Sequence, residues 1–202
     1  MPVRTATRHV AATRKPRADS LRNRELLLQA ATRVFSAGGP GASLEAVAKR
    51  AGVGIGTLYR HFPTREALFE AVYRREVDEL ADLAERLAHD SAPLDALRKW
   101  LGAFVQLVAT KKGMLAALSL ASHASSELYA YSFERLTKAV GLVLRRAVAA
   151  GQVRTDITPE DLLRALLGLC YSYEGPDWQK TVSRLIEVFV DGLVVRTRRP
   201  SS

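Results

Sequence analysis

Residues 43–72 read SLEAVAKRAGVGIGTLYRHFPTREALFEAV, and their punctuation decides how the chain is built. Ser43 stands where a helix N-cap belongs, and Leu44, Val47, Ala48 and Ala51 form one apolar edge of the short helix that follows. Gly52 ends it. A second short helix begins near Gly54–Gly56 and stops at Pro63, after which Thr64 caps a long charged helix, TREALFEAVYRREVDELADLAERLA. Two short helices joined by a glycine-containing turn make a helix-turn-helix (residues 43–62), whose second helix is placed for a major groove. Leu58 and Phe62 lie four apart and pack inward against Val47 and the preceding helix, leaving Thr57, Tyr59, Arg60 and His61 on outer surfaces. Gly56 lets a base or phosphate approach the backbone at the helix start, where free N–H groups favour an anion. Thr and Tyr hydroxyls can donate to phosphate oxygens, and Arg60 can reach a phosphate or a guanine edge. Ile55 either touches a thymine methyl or completes the core.

Charge supports a polyanionic partner by its position. The net charge is +9, and residues 1–62 carry 11 Lys/Arg against 3 Asp/Glu, while residues 63–202 carry 19 against 18. Nearly all the excess therefore lies beside the helix-turn-helix, where a positive field attracts and speeds the capture of nucleic acid. Residues 1–19 have little to bury and read as a flexible basic arm. The chain is 48% apolar, enough for a real core. Its N-terminal stretch lacks the apolar centre of a secretory leader, and no apolar run approaches the ~20 residues of a membrane span. Cys170 is alone, so no disulfide framework or thiolate metal site is expected, and a cytoplasmic setting follows most simply.

Apolar positions recur at helical spacing along nearly the whole chain, with no sustained alternation of period two. About nine helices are expected. The first runs from Ser20 to Ala37, with Leu27, Ala31, Val34 and Phe35 inward, and stops at GGPG (residues 38–41). Beyond Pro93, Leu97, Trp100, Leu101, Phe104 and Val108 make a wide apolar face, followed by a separate short helix around Met114–Leu118. A long helix from Ser122 to Ala150 ends at Gly151, Pro159 opens PEDLLRALLGLCYSYEG, and Pro176 opens a last helix reaching Arg196. The architecture is all-α: a small basic three-helix unit joined by a long helix to a larger apolar bundle.

Residues 43–72, with the helix before them ending in Phe35-Ser-Ala-Gly-Gly, resemble the DNA-binding signature of TetR-type transcriptional repressors. The close resemblance covers residues 20–80. It implies a homodimer of all-α subunits, each with an N-terminal DNA-binding domain (20–80) and a C-terminal bundle (81–197) for dimerisation and a small-molecule effector. Residues 198–202 read as a flexible tail. Phosphate contacts are carried onto Ser43, Tyr59, His61 and Arg65, the last able to hold a phosphate bidentately. Base readout falls on Ile55, Gly56, Thr57, Tyr59 and Arg60. Gly54 departs from the family, which often has Ser there as cap and phosphate donor; glycine caps acceptably but loses that contact. Arg-rich residues 14–24 add minor-groove or backbone contacts as an arm. A dimer is also needed physically, because one short helix reads too few bases.

Aromatic residues gather after residue 99, and phenols and indoles want polar partners when buried. Together with the resemblance, this points to an effector cavity lined by some of Trp100, Phe104, His123, Tyr129, Phe133, Cys170 and Tyr171. The last two helices are the expected dimer interface, with Gly168 and Gly192 allowing close approach and Leu185, Phe189 and Leu193 pairing across a two-fold. Cys170 sits in LLGLC, whose apolar neighbours raise rather than lower a thiol pKa. No cofactor or metal is expected. An enzyme is disfavoured: there is no P-loop and no Gly-x-Ser-x-Gly, and the glycines at 52, 54 and 56 follow a helix rather than a strand. The expected function is an effector-released repressor on a palindromic, double-stranded operator. Its alternatives are an activator of the same fold, a sequence-independent architectural DNA-binding protein, or an adaptor with a degenerate DNA head. The intact Tyr59, His61 and Arg65 argue against the adaptor.

Overall fold

The computed structural model describes residues 14–37, 42–118 and 126–195. Eight helices run through them: α1 (Arg14–Ala37), α2 (Leu44–Ala51), α3 (Ile55–His61), α4 (Arg65–Asp90), α5 (Pro93–Ala117), α6 (Ser126–Ala149), α7 (Pro159–Tyr171) and α8 (Trp178–Leu193). The all-α architecture is as expected, and the difference from nine lies at α5.

The signals around the helix-turn-helix act as their chemistry dictates. The Ser43 hydroxyl accepts from the Ala46 N–H at 3.1 Å, capping α2. Gly52 closes it with φ +72°, a left-handed conformation that a side chain would strain, and its N–H bonds the Ala48 and Lys49 carbonyls. Gly54 opens α3 without a side-chain cap. The Thr64 hydroxyl then accepts from the Ala67 N–H at 3.1 Å and starts α4, whose 26 residues span about 39 Å. α1 buries Leu27, Leu28, Ala30, Ala31 and Phe35 against this unit. It begins at Arg14, upstream of Ser20, which is exposed inside the helix. Nothing between them opposes a helix, since Pro16 falls in the first turn, where its missing N–H is not needed. Residues 1–13 of the expected arm lie outside the described residues.

α4 leaves the small unit and packs most extensively on α6, with α5 crossing both; α7 and α8 complete the bundle. One apolar cluster runs through both parts, from Leu27 and Phe35 to Val190 and Leu193. The expected short helix at Met114–Leu118 is the end of α5, with Leu118 as its cap, because Gly113 does not break it. A Cβ on Gly113 would lie 2.0 Å from the Phe35 carbonyl oxygen, so this glycine is where α1 presses against α5. The expected start of α6 at Ser122 lies outside the described residues. α7 ends at Tyr171 rather than running on to Gly175, and α8 begins at Trp178 rather than Pro176. α8 also stops short of Arg196, because Val194 turns extended and pairs antiparallel with Val153. The Arg154 N–H bonds the Leu193 carbonyl and the Val195 N–H bonds the Gln152 carbonyl, each at 3.0 Å.

Candidate functional site

Three places bear on function: the outer face of α3, the joint between the small unit and the bundle, and a cavity in the bundle.

On α3 the inward pair is firmly held, with Leu58 1% and Phe62 2% exposed. Arg24 of α1 lays its guanidinium 5.3 Å from the centre of the Phe62 ring. This leaves Gly56, Tyr59 and Arg60 exposed, with Thr57 and His61 half-buried at the edges. Ile55 stands at the surface, 38% exposed, rather than in the core. A Cβ added to Gly56 would meet no described atom within 4 Å, so among the described residues nothing covers the backbone there. Ser43 and Arg65 come together beside this face. Glu45, next to the α2 cap, is held below the usual carboxylate range by its own backbone N–H, then by Ser43 and by the Arg65 charge. Of the residues carried from the resemblance, Ile55, Gly56, Tyr59, Arg60 and Arg65 are exposed and Ser43, Thr57 and His61 half-buried.

At the joint, the Ser36 and Thr110 hydroxyls are 2.6 Å apart, linking α1 to α5 one turn before Gly113. Arg65 donates from one guanidinium nitrogen to the Leu118 carbonyl at 3.3 Å, linking the start of α4 to the end of α5. Within the small unit, the Thr32 hydroxyl donates to Glu76 at 2.7 Å, and burial raises that carboxyl's pKa.

The cavity lies between four helices. α4 contributes Tyr73; α5 contributes Phe104, Leu107, Val108 and Lys111. α6 contributes Tyr129, Ser132, Phe133 and Leu136, and α7 contributes Leu163, Leu167 and Tyr171. The void is about 420 Å³ including its mouth, yet only about 30 Å³ of it can take the centre of a water molecule. Tyr129 and Tyr171 are exposed at the rim, Tyr129 stacked on Phe133 at 6.0 Å. Tyr73 stacks on Phe69 at 5.9 Å, and burial raises its phenol pKa while Ser132 pulls the other way. Outside the cavity, Tyr131 donates to Asp78 at 2.7 Å and Arg135 to the same carboxylate at 3.0 Å, bracing α6 on α4.

Of the seven residues expected at the cavity, Phe104, Tyr129, Phe133 and Tyr171 line it. Trp100 lies behind it, fully buried, stacked on Phe104 at 5.9 Å with its indole N–H donating to the Leu80 carbonyl at 3.0 Å. Cys170 is buried off the lining, its thiol pushed up to about 11 by desolvation. His123 lies outside the described residues. Tyr73, Lys111 and Ser132 escaped the sequence reading because each sits among charged or polar neighbours that look like a solvated helix face. Val108 was expected on the apolar face of its helix, and Leu107, Leu136, Leu163 and Leu167 are aliphatic residues whose letters do not separate a cavity wall from core.

Of the residues expected between subunits, a Cβ added to Gly168 or Gly192 would meet no described atom within 4 Å, and Leu185 is 39% exposed beside Val188. Phe189 is half-buried, whereas Leu193 packs in the subunit's own core. Arg98 of α5 binds Glu187 and Asp191 at the edge of this face. Among the described residues there is no cluster of metal-ligating side chains, and no helix is long and apolar enough to cross a membrane.

An exposed second helix of a helix-turn-helix, carried on an all-α bundle with an internal cavity, defines a helix-turn-helix regulator. Residues 27–72 match the profile of bacterial regulatory proteins of the tetR family, and residues 92–195 that of the transcriptional regulator SbtR-like C-terminal domain. The TetR transcriptional regulator SCO0520 from Streptomyces coelicolor is 40% identical, with 86% of this chain and 99% of that one covered at a TM-score of 0.74. A TetR regulatory protein from Mycobacterium vanbaalenii is 32% identical over 89% and 99%, at 0.69. The HTH-type transcriptional repressor Rv3405c from Mycobacterium tuberculosis is 40% identical over 76 residues, which cover 37% of this chain and 38% of that protein. The chain belongs to the TetR family of transcriptional regulators.

Proposed function

We propose that this protein is a repressor that binds a palindromic operator as a homodimer and is released when a small effector enters the cavity. The observation that carries this reading is continuity: α4 bears Arg65 beside the reading face and Tyr73 in the cavity wall. In this reading residues 20–80 are the DNA-binding domain and residues 81–197 the effector and dimerisation domain. Tyr59, His61, Ser43 and Arg65 hold phosphates, while Ile55, Gly56, Thr57 and Arg60 face the bases. Arg65 spends one nitrogen on Leu118, leaving the rest of its fork for a phosphate. The exposed Leu185 and Val188, with Gly168 and Gly192 uncovered, suit a two-fold contact with a second copy. Repression, rather than activation, is supported by the name of the Mycobacterium tuberculosis relative.

The cavity is too narrow for an effector as it stands, so occupancy pushes its walls apart. Two of those walls are α4 and α5, and α5 grips α1 through Thr110 and Gly113. Widening therefore shifts the recognition helices relative to the bundle, and only differential affinity for the two arrangements drives it, typically about 1–3 kcal/mol. The test is selection of binding sites from random duplex DNA by the purified protein. An inverted repeat, with binding weakened about tenfold or more in Tyr59→Ala and salt-dependent throughout, is the expected result. Enrichment of no preferred sequence would overturn this reading in favour of an architectural DNA-binding protein.

A further inference from the structure

Adjacent lysines on α5 have opposite circumstances. Lys112 is satisfied: its ammonium donates to the Cys170 carbonyl at 2.7 Å and lies 4.1 Å from the Trp178 ring centre and 4.9 Å from that of Tyr171. Lys111 turns into the cavity instead, where its ammonium lies 5.3 Å from the Tyr73 ring centre. Among the described residues it makes no ion pair, and no acidic residue lines the cavity. Burial lowers its pKa with no opposing charge to offset the loss of water. A partly desolvated ammonium whose one close contact among the described residues is a ring face is costly, and an anion brought by a ligand removes that cost.

We propose that the cavity selects an organic monoanion, a carboxylate on an aromatic or branched apolar body, with Lys111 as its anchor. The inference rests on the effector-cavity reading above and adds the ligand's charge to it. A cationic ligand is opposed, because Lys111 already occupies the Tyr73 face that a cation would use. A dianion such as a phosphate ester is opposed too, since one ammonium is the only charge lining the cavity among the described residues. Phe104, Phe133 and the leucines fit the apolar body, and the Tyr73 and Ser132 hydroxyls give neutral polar contacts near the anchor.

The test uses two fluorescent probes with one fused-ring body, 1-anilinonaphthalene-8-sulfonate and the uncharged N-phenyl-1-naphthylamine. Both are titrated into the full-length wild type, Lys111→Met, Lys111→Arg and Leu167→Trp, each first shown to melt cooperatively. Lys111→Met should weaken the anionic probe about tenfold and leave the neutral one within about twofold, with Lys111→Arg retaining the preference. An unchanged ratio of the two affinities in Lys111→Met, or no binding of the anion to the wild type, overturns the proposal. Leu167→Trp, which puts a larger side chain into the cavity wall, should weaken both probes. If it weakens neither, the probes bind elsewhere, and the cavity reading itself fails rather than the assignment of charge.

Discussion

The reading face of α3 and the bundle cavity solve opposite problems. The first turns its polar groups outward on a unit of two short helices, and the side chains that hold it, Leu58 and Phe62, are separate from the exposed ones proposed to touch DNA. The second turns its groups inward from four helices, so Tyr73, Phe104 and Phe133 are at once its lining and part of, or packed on, the core. Binding and stability can therefore be separated by mutation at the first and are entangled at the second.

The largest expected effect breaks that separation deliberately. Leu58→Ala empties a fully buried site and should cost about 3 kcal/mol in urea unfolding, abolishing DNA binding with the fold of the head. Tyr59→Ala, one residue on, should change stability by less than about 0.5 kcal/mol while weakening operator binding about tenfold or more. Equal losses of stability in the two variants would show that α3 does not divide its labour as its burial pattern says.

The joint between the regions gives the next effect. Gly113→Ala forces a Cβ onto the Phe35 carbonyl, so α1 must move or α5 must bend, at a cost of about 2 kcal/mol. The thermal midpoint should fall, and operator affinity should fall with it although no reading residue has changed. An unaltered midpoint would mean that the two regions are more loosely joined than their close approach implies.

The smallest effect sharpens the cavity side. Lys111 has a folded pKa below its unfolded value of about 10.4, so the penalty of its half-buried charge is present in full at neutral pH. Stability then rises as pH climbs through the folded value toward the unfolded one. Lys111→Met should accordingly melt higher than the wild type at pH 7 by about 2 °C, the gap closing toward pH 10. A gap independent of pH would point to packing rather than charge.

These differences also explain how far the sequence could be read. Local chemistry announced the head: Ser43 and Thr64 cap as their hydroxyls permit, Gly52 takes the left-handed turn, and Leu58 with Phe62 point inward at their four-residue spacing. The cavity depends on which faces of α4, α5, α6 and α7 meet, which no single stretch encodes. Hence aromatics were found and Lys111 was not, since a lysine beside another lysine reads as solvated. Gly113, just before the expected short helix, shows the same limit: a glycine wanted for close packing has the same letter as one that ends a helix. The pairing of Val153 with Val194 likewise joins segments too distant for any periodicity to reveal.

Trp100 gives this protein a built-in optical gauge. Its indole is sealed from water and bonded to the Leu80 carbonyl of α4, and its ring stacks on Phe104, a wall of the cavity. The second of the chain's two tryptophans, Trp178, sits against Lys112 on another face. With Trp178 replaced by phenylalanine, emission from Trp100 alone registers any shift of Phe104 or α4, so occupancy can be followed in unlabelled protein.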